Sequence, residues 1–290
     1  MSNQQRKWLY LTVLSIVWGS SFILMKKALV SLSPIQVAAL RSLIAAVFVI
    51  GIGFKNLQKI EKRHWKYLFF SALVGTFFPA FLFAFAIKGI DSSIASILNS
   101  LTPFNTFIIG ALVFGFAFKK KQFFGIIIGL AGTLILILKG ANLNPDQNYW
   151  YALLPIIASI GYAFNVNIIK KYLHDLNGLT ITTAHFLIII LPVLIILGST
   201  GFFTEFELNT ETKPALLYIF ILAIAGTAIA KVIFNNMVHI SSPIFASSVT
   251  YLIPIVAVMW GIIDGEKLSF IQLLAGGIIL FGVWMVNKAK

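Results

Sequence analysis

The chain has 290 residues, of which 59% are hydrophobic and only 11% are charged, and its formal net charge is +13. A soluble domain has about a quarter charged residues, whereas here the apolar excess extends along the whole chain, which excludes a soluble globular protein and predicts a polytopic membrane protein. The absence of cysteine excludes disulfides, thiolate metal sites and thiol catalysis.

The first apolar segment covers residues 8–29 and contains the stretch SIVWGSSFILMKKAL at 15–29. Its length of about twenty residues exceeds the core of a signal peptide, which also requires a small-residue cleavage site. No such site precedes Lys26. We therefore predict that this segment is the first membrane-spanning helix.

Ten segments are apolar over the length that a spanning helix needs, which is roughly 20 residues. The predicted spans are residues 8–29, 34–54, 67–87, 93–115, 122–139, 150–169, 179–199, 214–238, 243–263 and 269–287. The predicted fold class is an all-α integral membrane protein with ten transmembrane helices.

Lysine and arginine are unevenly divided between the two sets of loops. Cytoplasmic loops of membrane proteins are enriched in these residues. With the N-terminus inside, fourteen of them lie on the cytoplasmic side and six on the other side, while Arg41 and Lys231 lie within spans. This distribution predicts cytoplasmic N- and C-termini, and it accounts for the net charge without a nucleic-acid partner.

The opening stretch returns as SIGYAFNVNIIKKYL at residues 159–173, a shift of 144 positions. At this shift the pair of lysines is retained, Trp18 aligns with Tyr162, and Arg41 aligns with His185. At a shift of 151 positions, three further sites, Gly75-Thr76, Ala95-Ser96 and Pro103, align with Gly226-Thr227, Ala246-Ser247 and Pro254. We predict a duplication into residues 1–145 and 146–290, with five spans in each copy.

Five is an odd number, so the second copy must enter the membrane upside down, and equivalent loops should differ in charge. The loop after span 2 has five basic residues, whereas the loop after span 7 has three glutamates and one lysine. Inverted repeats of this kind are an architecture of secondary transporters, whose substrate site lies near the membrane midplane between the halves.

Several motifs resemble the EamA family of the drug/metabolite transporter superfamily. VWGSSFILMKKAL at 17–29 and ALRSLIAA at 39–46 are similar to the opening helices of that family. ASSVTYLIPIVAVMWGIIDGEKLSFIQLLAGGIILFG at 246–282 is similar to its closing motif. The resemblance extends over nearly the whole chain.

This resemblance implies a secondary transporter of the bacterial inner membrane that moves a small organic metabolite by alternating access. Together with Lys231 and Arg41, it favours export of an amino acid or a related carboxylate. The alternatives are a sugar-phosphate or nucleotide-sugar exchanger of the same superfamily, or a non-transporting membrane scaffold or enzyme. The sequence has no phosphate-binding loop and no metal-spaced or convergent catalytic residues, so we expect neither an enzyme nor a cofactor or metal.

Two departures from the family pattern affect ion coupling. Gly-Phe at 115–116 replaces the usual Gly-Glu, and the often acidic position before the proline is Thr102 in one half and Ile253 in the other. No carboxylate lies at mid-span, so proton antiport through a buried acid has no carrier. Facilitated efflux, exchange, or coupling through His185 or Lys231 remain open.

Lys231 and Arg41 are the main candidates for substrate binding. A charge at the centre of a span costs at least about 2.5 kcal/mol. Each side chain can reach the membrane surface or cap carbonyl groups, or it can face a cavity and bind an anionic group. For Lys231 we favour the cavity. Asn235, four residues beyond Lys231, lies on the same helix face and can add a hydrogen bond.

Other candidate substrate contacts are polar or aromatic residues at depth in the spans, namely Trp18, Asn99, Tyr162, Asn165, His185 and Tyr251. The aromatic rings can instead serve packing or lipid contact, and the asparagines can join helices by hydrogen bonds. His185 can be a neutral core residue or a proton-responsive gate.

Three further expectations concern movement and assembly. Pro103 and Pro254 each remove an amide donor and loosen a helix, so they are candidate hinges or static kinks. Lys26 is a candidate rim charge at the mouth of the cavity, or an interfacial anchor. The glycine-rich spans 5 and 10 allow close helix approach and can form a homodimer face.

Overall fold

The computed structural model describes residues 1–115, 120–143, 147–210 and 212–288, and these residues contain helices and loops but no β-strand. Ten long helices are numbered here α1 to α10. Their bounds are Asn3–Ala28 (α1), Pro34–Gly53 (α2), Lys62–Gly89 (α3), Ser92–Phe114 (α4), Lys120–Leu143 (α5), Leu153–Tyr172 (α6), Gly178–Ser199 (α7), Thr212–Ile240 (α8), Pro243–Ile263 (α9) and Phe270–Lys288 (α10).

Within the described ranges, eight of the ten helices are long and apolar enough to cross a membrane. The other two, α5 and α10, contain shorter apolar runs at Ile127–Leu136 and Phe270–Gly282. The predicted fold class, an all-α membrane protein of ten helices in two inverted five-helix repeats, is confirmed.

The first helix begins five residues before the predicted start at residue 8, because a polar cap extends it. The Ser2 hydroxyl accepts a hydrogen bond from the Gln5 backbone N–H, and the Gln5 side chain accepts one from the Ser2 N–H, which together form a capping box. Hydropathy does not detect such a polar first turn. The second helix begins at Pro34 as predicted, after an equivalent box between Ser33 and Gln36.

Four of the long helices are irregular. α3 and α8 each contain a π-helical segment, at Leu73–Phe77 and Ile224–Ile229. Such segments often occur at functional sites. α4 and α9 are interrupted, at residues 100–101 and at Ser248. The two π segments begin 151 positions apart, which is the shift of the sequence repeat.

The helix packing follows the same symmetry. α2 packs against its counterpart α7, and α5 packs against its counterpart α10. The contact of α1 with α9 is repeated by the contact of α6 with α4, and that of α1 with α8 by that of α6 with α3. The predicted boundary between residues 145 and 146 falls at residues 144–146, outside the described residues, and stays a prediction.

Close helix approach depends on glycine at the π segment of α3. A Cβ atom at Gly161 of α6 would contact the carbonyl oxygen of Val74, which is part of that segment. A backbone oxygen cannot rotate away as a side chain can. Gly161 therefore fixes the distance between α6 and the irregular part of α3.

We predict that Gly161→Ala lowers the thermal stability of the purified protein, because overpacking at a tight contact costs about 1–3 kcal/mol. The matched control is Gly51→Ala in α2, where a Cβ atom would meet no atom within 4 Å, so stability should be equal or higher. Melting temperatures in one detergent compare the two variants. Equal melting temperatures for both would contradict the packing described here.

Candidate functional site

A cavity lies between the two halves and is lined by side chains from α1 to α4, α6, α8 and α9. The space open to the centre of a water molecule is about 100 Å³. One water requires about 10–15 Å³ by this measure, so the cavity has room for several waters. Six of the predicted site residues line it: Trp18, Arg41, Asn99, Tyr162, Asn165 and Lys231.

The Lys231 ammonium group is held by the π segment of α3. Its Nζ atom donates hydrogen bonds to the Gly75 carbonyl oxygen at 2.6 Å and to the Thr76 hydroxyl at 2.5 Å. The same hydroxyl lies 3.5 Å from Nδ1 of His185. Neutral oxygens of an irregular helix turn thus take the place that a carboxylate often occupies beside a buried lysine.

The Arg41 guanidinium is held by the π segment of α8. Its Nε atom donates to the Thr227 hydroxyl at 2.6 Å, and that hydroxyl donates to the Leu222 carbonyl oxygen at 2.9 Å. The adjacent Gly226 carbonyl oxygen accepts a hydrogen bond of 2.9 Å from the Trp18 indole. Because the hydroxyl proton of Thr227 is directed at Leu222, its lone pairs are directed at the arginine.

These contacts obey the repeat symmetry. Arg41 aligns with His185 and Thr227 aligns with Thr76, so the contact of Arg41 with Thr227 is repeated by the contact of His185 with Thr76. The four residues of the two Gly-Thr pairs were not among the site residues predicted from the sequence. They could have been found from the sequence, because the Gly-Thr pair recurs at the same repeat position inside two apolar spans, and neither glycine nor threonine adds to the hydrophobicity of a span.

The cavity contains two cationic side chains and no acidic one among its described lining residues. The chain has nine Asp and Glu residues, all of them outside the predicted spans. No carboxylate is therefore available at the depth of Arg41 and Lys231. An unpaired charge inside a membrane protein is costly and commonly marks a functional site.

Aromatic rings and amides complete the walls. The Trp18 ring lies 5.2 Å from that of Phe234, and the Tyr162 ring is stacked on Phe83 at 6.2 Å. The Asn165 side-chain oxygen accepts a hydrogen bond of 2.6 Å from Ser71. A small ligand with an apolar part and an anionic part would find both kinds of surface here.

Three predicted site residues lie outside the lining of the cavity. Asn235 is buried and donates to the Thr182 hydroxyl at 2.9 Å, which joins α8 to α7. His185 is fully buried behind Thr76, and its Nε2 atom has no partner among the described residues. Tyr251 is half-buried and packs against the hydrophobic core.

The two candidate hinge residues occupy different local positions. Pro103 is near the start of the second part of α4, directly after the interruption at residues 100–101, where no amide donor is lost. Pro254 lies inside the continuous part of α9. Their role in movement stays a prediction.

One end of the cavity is covered by a group of charged and hydroxyl side chains. Its members, here called the Glu266 cluster, are Lys26, Lys27, Ser92, Ser93, Asp264 and Glu266. Lys26 directly follows the lining residue Met25, and its Nζ atom lies 2.9 Å from Glu266 and 2.7 Å from Asp264, which also pairs with Lys27. The cluster thus joins the end of α1 to the loop between α9 and α10.

The Glu266 carboxylate also caps the start of α4. It accepts hydrogen bonds from the backbone N–H groups of Ser92 and Ser93, both at 3.1 Å, and from their hydroxyls at 2.6 and 2.5 Å. A negative charge at a helix N-terminus is favourable. Gly265, with φ of +85°, supplies the left-handed turn before this carboxylate.

Burial raises the pKa of Glu266, but the hydrogen bonds from Ser92, Ser93 and Lys26 and the charge of Lys26 outweigh this effect, so the pKa lies below its usual value. The side chain is only 1% exposed. The carboxylate is consequently ionised at neutral pH and contributes to stability there.

Away from Lys26, apolar side chains pack against the lining residues Trp18 and Phe234. A hydrophobic cluster there includes Leu11, Leu14, Ile169 and Met237. Lys170, the repeat counterpart of Lys26, donates to three carbonyl oxygens at the end of α8 and in the turn after it, at 2.7–3.2 Å. The two ends are thus equivalent in backbone but different in chemistry.

Comparison with known proteins gives the class of the chain. The family of EamA-like transporters matches at residues 6–138 and again at 149–288. A crystal structure of a protein with 16% sequence identity aligns over 99% of this chain and 97% of its own, with a TM-score of 0.67. The ten-helix fold and this double match define a multi-pass membrane transporter.

Two relatives match over most of their length. The inner membrane transporter YedA of Escherichia coli strain K12, described as uncharacterised, is 28% identical over 97% of this chain and 90% of its own. A Salmonella typhimurium strain LT2 protein named "Probable amino-acid metabolite efflux pump" is 26% identical over 93% of this chain and 91% of its own. The chain belongs to the EamA-like transporter family.

We predict that Glu266→Gln lowers the melting temperature at neutral pH, because it removes the charge that the cluster neutralises. The folded-state pKa of Glu266 is lowered, so its stabilisation is present above the unfolded pKa of about 4.3 and is lost as pH falls through the folded value. The wild type and the variant should therefore converge in acid.

The control for this experiment is Glu207→Gln, in an exposed loop and without an ion pair in the described parts of the chain. Its melting temperature should follow that of the wild type at every pH. A constant difference between the wild type and Glu266→Gln from pH 7 to pH 3 would contradict the assignment.

Proposed function

We propose that this transporter exports a small organic metabolite, an amino acid or a related carboxylate, by alternating access. The observation that supports the proposal is the pair of cations, Arg41 and Lys231, in a central cavity whose described lining has no acidic residue. The printed name of the Salmonella relative, an amino-acid metabolite efflux pump, supports the substrate class and the direction.

In this proposal, Lys231 and Arg41 bind the carboxylate of the substrate. Charge-assisted hydrogen bonds of this kind are roughly twice as strong as neutral ones. Asn99 and Asn165 supply further polar contacts, and Trp18 and Tyr162 form the wall against its apolar part. His185 contacts the Thr76 hydroxyl, to which Lys231 also donates, and in this way it influences the position of Lys231.

Alternating access requires each end of the cavity to open in turn. The Glu266 cluster is the barrier at the end where Lys26 lies, and the apolar cluster is the barrier at the other end. The π segments, Pro103 and Pro254 lie where α3, α4, α8 and α9 can bend, since sharp helix kinks occur at prolines and π-bulges.

The proposal also includes location and assembly. The relative named as an inner membrane transporter supports a bacterial inner membrane. The loop charges predict both termini in the cytoplasm, so the Glu266 cluster would face outward. The protein has the lipid bilayer and one small-molecule substrate as partners. A homodimer through α5 and α10 stays a prediction; Gly132 of α5 packs against Ala275 and Ile279 of α10 within the chain.

We predict that Lys231→Ala abolishes transport while leaving membrane insertion intact, because the variant loses the ammonium group but keeps the apolar helix. The measurement is movement of radiolabelled amino acids, carboxylates and sugar phosphates by purified protein in liposomes. Lys88→Ala, at an exposed site outside the cavity, is the control and should transport normally.

Unchanged transport by Lys231→Ala would refute the role of this residue. Movement of sugar phosphates without movement of any amino acid or carboxylate would replace the proposal by an exchanger. Size-exclusion profiles of both variants show whether a loss of transport reflects loss of the folded protein.

A second prediction concerns the barrier at the Glu266 cluster. Because the chain has no cysteine, a single Thr250→Cys substitution in the cavity wall gives a unique label site. We expect Glu266→Gln to increase its labelling by an impermeant maleimide, added on the Lys26 side, several-fold over the Glu207→Gln control. Equal labelling rates in the two backgrounds would show that the cluster is not a barrier.

A further inference from the structure

We infer that the substrate carries two acidic groups and no free amine, so that among carboxylates the transporter prefers a small dicarboxylate to a zwitterionic amino acid. The inference rests on the proposed function, since it takes the cavity of Arg41 and Lys231 as the substrate site. It is carried by the two cations that line the cavity, by their unused hydrogen-bond donors, and by the absence of an acidic residue among the described lining residues that could pair with an ammonium group.

Both cations keep free donors. Lys231 has three N–H donors, of which two are used by Gly75 and Thr76. Arg41 has five, and its Nε donor alone is bonded within the described residues, to Thr227. The Nη groups of Arg41 and one Lys231 proton are therefore available to a ligand in the cavity that both residues line.

The two cations line one cavity, so a small diacid there can contact both. Arg41 is bonded to Thr227, Lys231 follows Thr227 by four residues along α8, and both side chains are part of the cavity lining. One carboxylate can thus meet the guanidinium while the second meets the ammonium group.

The charge balance favours a substrate with two negative charges. Arg41 and Lys231 have no carboxylate partner, because all nine acidic residues lie outside the predicted spans. A dicarboxylate neutralises both cations, whereas a zwitterion brings an additional ammonium group and leaves the net charge of the site unchanged. Uncompensated charge at this depth is costly. The dicarboxylate, which removes this cost, should therefore bind more tightly than the zwitterion.

The described lining of the cavity offers an amine no carboxylate to pair with. The carbonyl oxygens of Gly75 and Gly226 already accept hydrogen bonds from Lys231 and Trp18. The rings of Phe22 and Phe83, edge to face at 5.6 Å, form an apolar wall suited to the methylene groups between two carboxylates. Specificity here follows from the absence of a counter-ion for the amine.

The test uses the purified full-length protein in lipid nanodiscs and four five-carbon probes of matched size: glutarate, 2-oxoglutarate, glutamate and glutamine. Dissociation constants come from calorimetry. We expect both diacids without an amine to bind at least about tenfold more tightly than glutamine, equivalent to about 1.4 kcal/mol. Glutamate, with two acids and an amine, should have a dissociation constant between those of the diacids and that of glutamine.

Two variants separate this inference from the proposed function. Arg41→Gln should remove the preference for glutarate over the monoacid valerate, with Lys88→Gln as the control that retains it. If glutamine binds the wild type as tightly as glutarate and Lys231→Gln weakens both, the preference for two acids is overturned while the proposed function stands. If no probe binds the wild type, or if Lys231→Gln leaves the affinity for every probe unchanged, both the preference for two acids and the proposed function are wrong.

Discussion

Two cations lie inside this membrane protein without a carboxylate beside them among the described residues, and much of the site follows from how they are held. Lys231 donates to the Gly75 carbonyl oxygen and the Thr76 hydroxyl, and Arg41 donates to the Thr227 hydroxyl, in π segments that begin 151 positions apart. Neutral oxygens orient a charge but do not cancel it. The remaining charge is therefore available to an anionic ligand, which is what a carrier requires if it is to bind and release.

The ends of the cavity show how a duplicated chain can become functionally asymmetric. Lys26 and Lys170 occupy equivalent positions, yet Lys26 pairs with Asp264 and Glu266 whereas Lys170 donates to backbone carbonyls. The difference arises because one copy has an acidic turn after its fourth helix and the other has Gly-Phe at 115–116. One end is consequently ionic and the other is apolar, so under the proposed alternating access the two barriers would differ in chemistry.

The repeat also constrains the chemistry of the site. Arg41 and His185 are equivalent, and each contacts the threonine of the opposite half. The Arg41 side chain lines the cavity, whereas His185 is fully buried and lies outside the cavity lining. A symmetric scaffold thus presents an asymmetric set of charges, with both cations available to one ligand, and this favours one bound orientation.

The sequence by itself determined the ten helices and the inverted repeat, because apolar length, loop charge and repeat spacing are local or additive properties, and the resemblance of its motifs at 17–29, 39–46 and 246–282 indicated the family. It also indicated Arg41 and Lys231, since an isolated charge in an apolar span is conspicuous. Only the tertiary structure decided that Asn235 lies outside the cavity, that Glu266 caps α4 and pairs with Lys26, and that the Gly-Thr pairs hold the cations. These are contacts between residues as many as 240 positions apart, and they depend on irregular helix turns that hydropathy does not report.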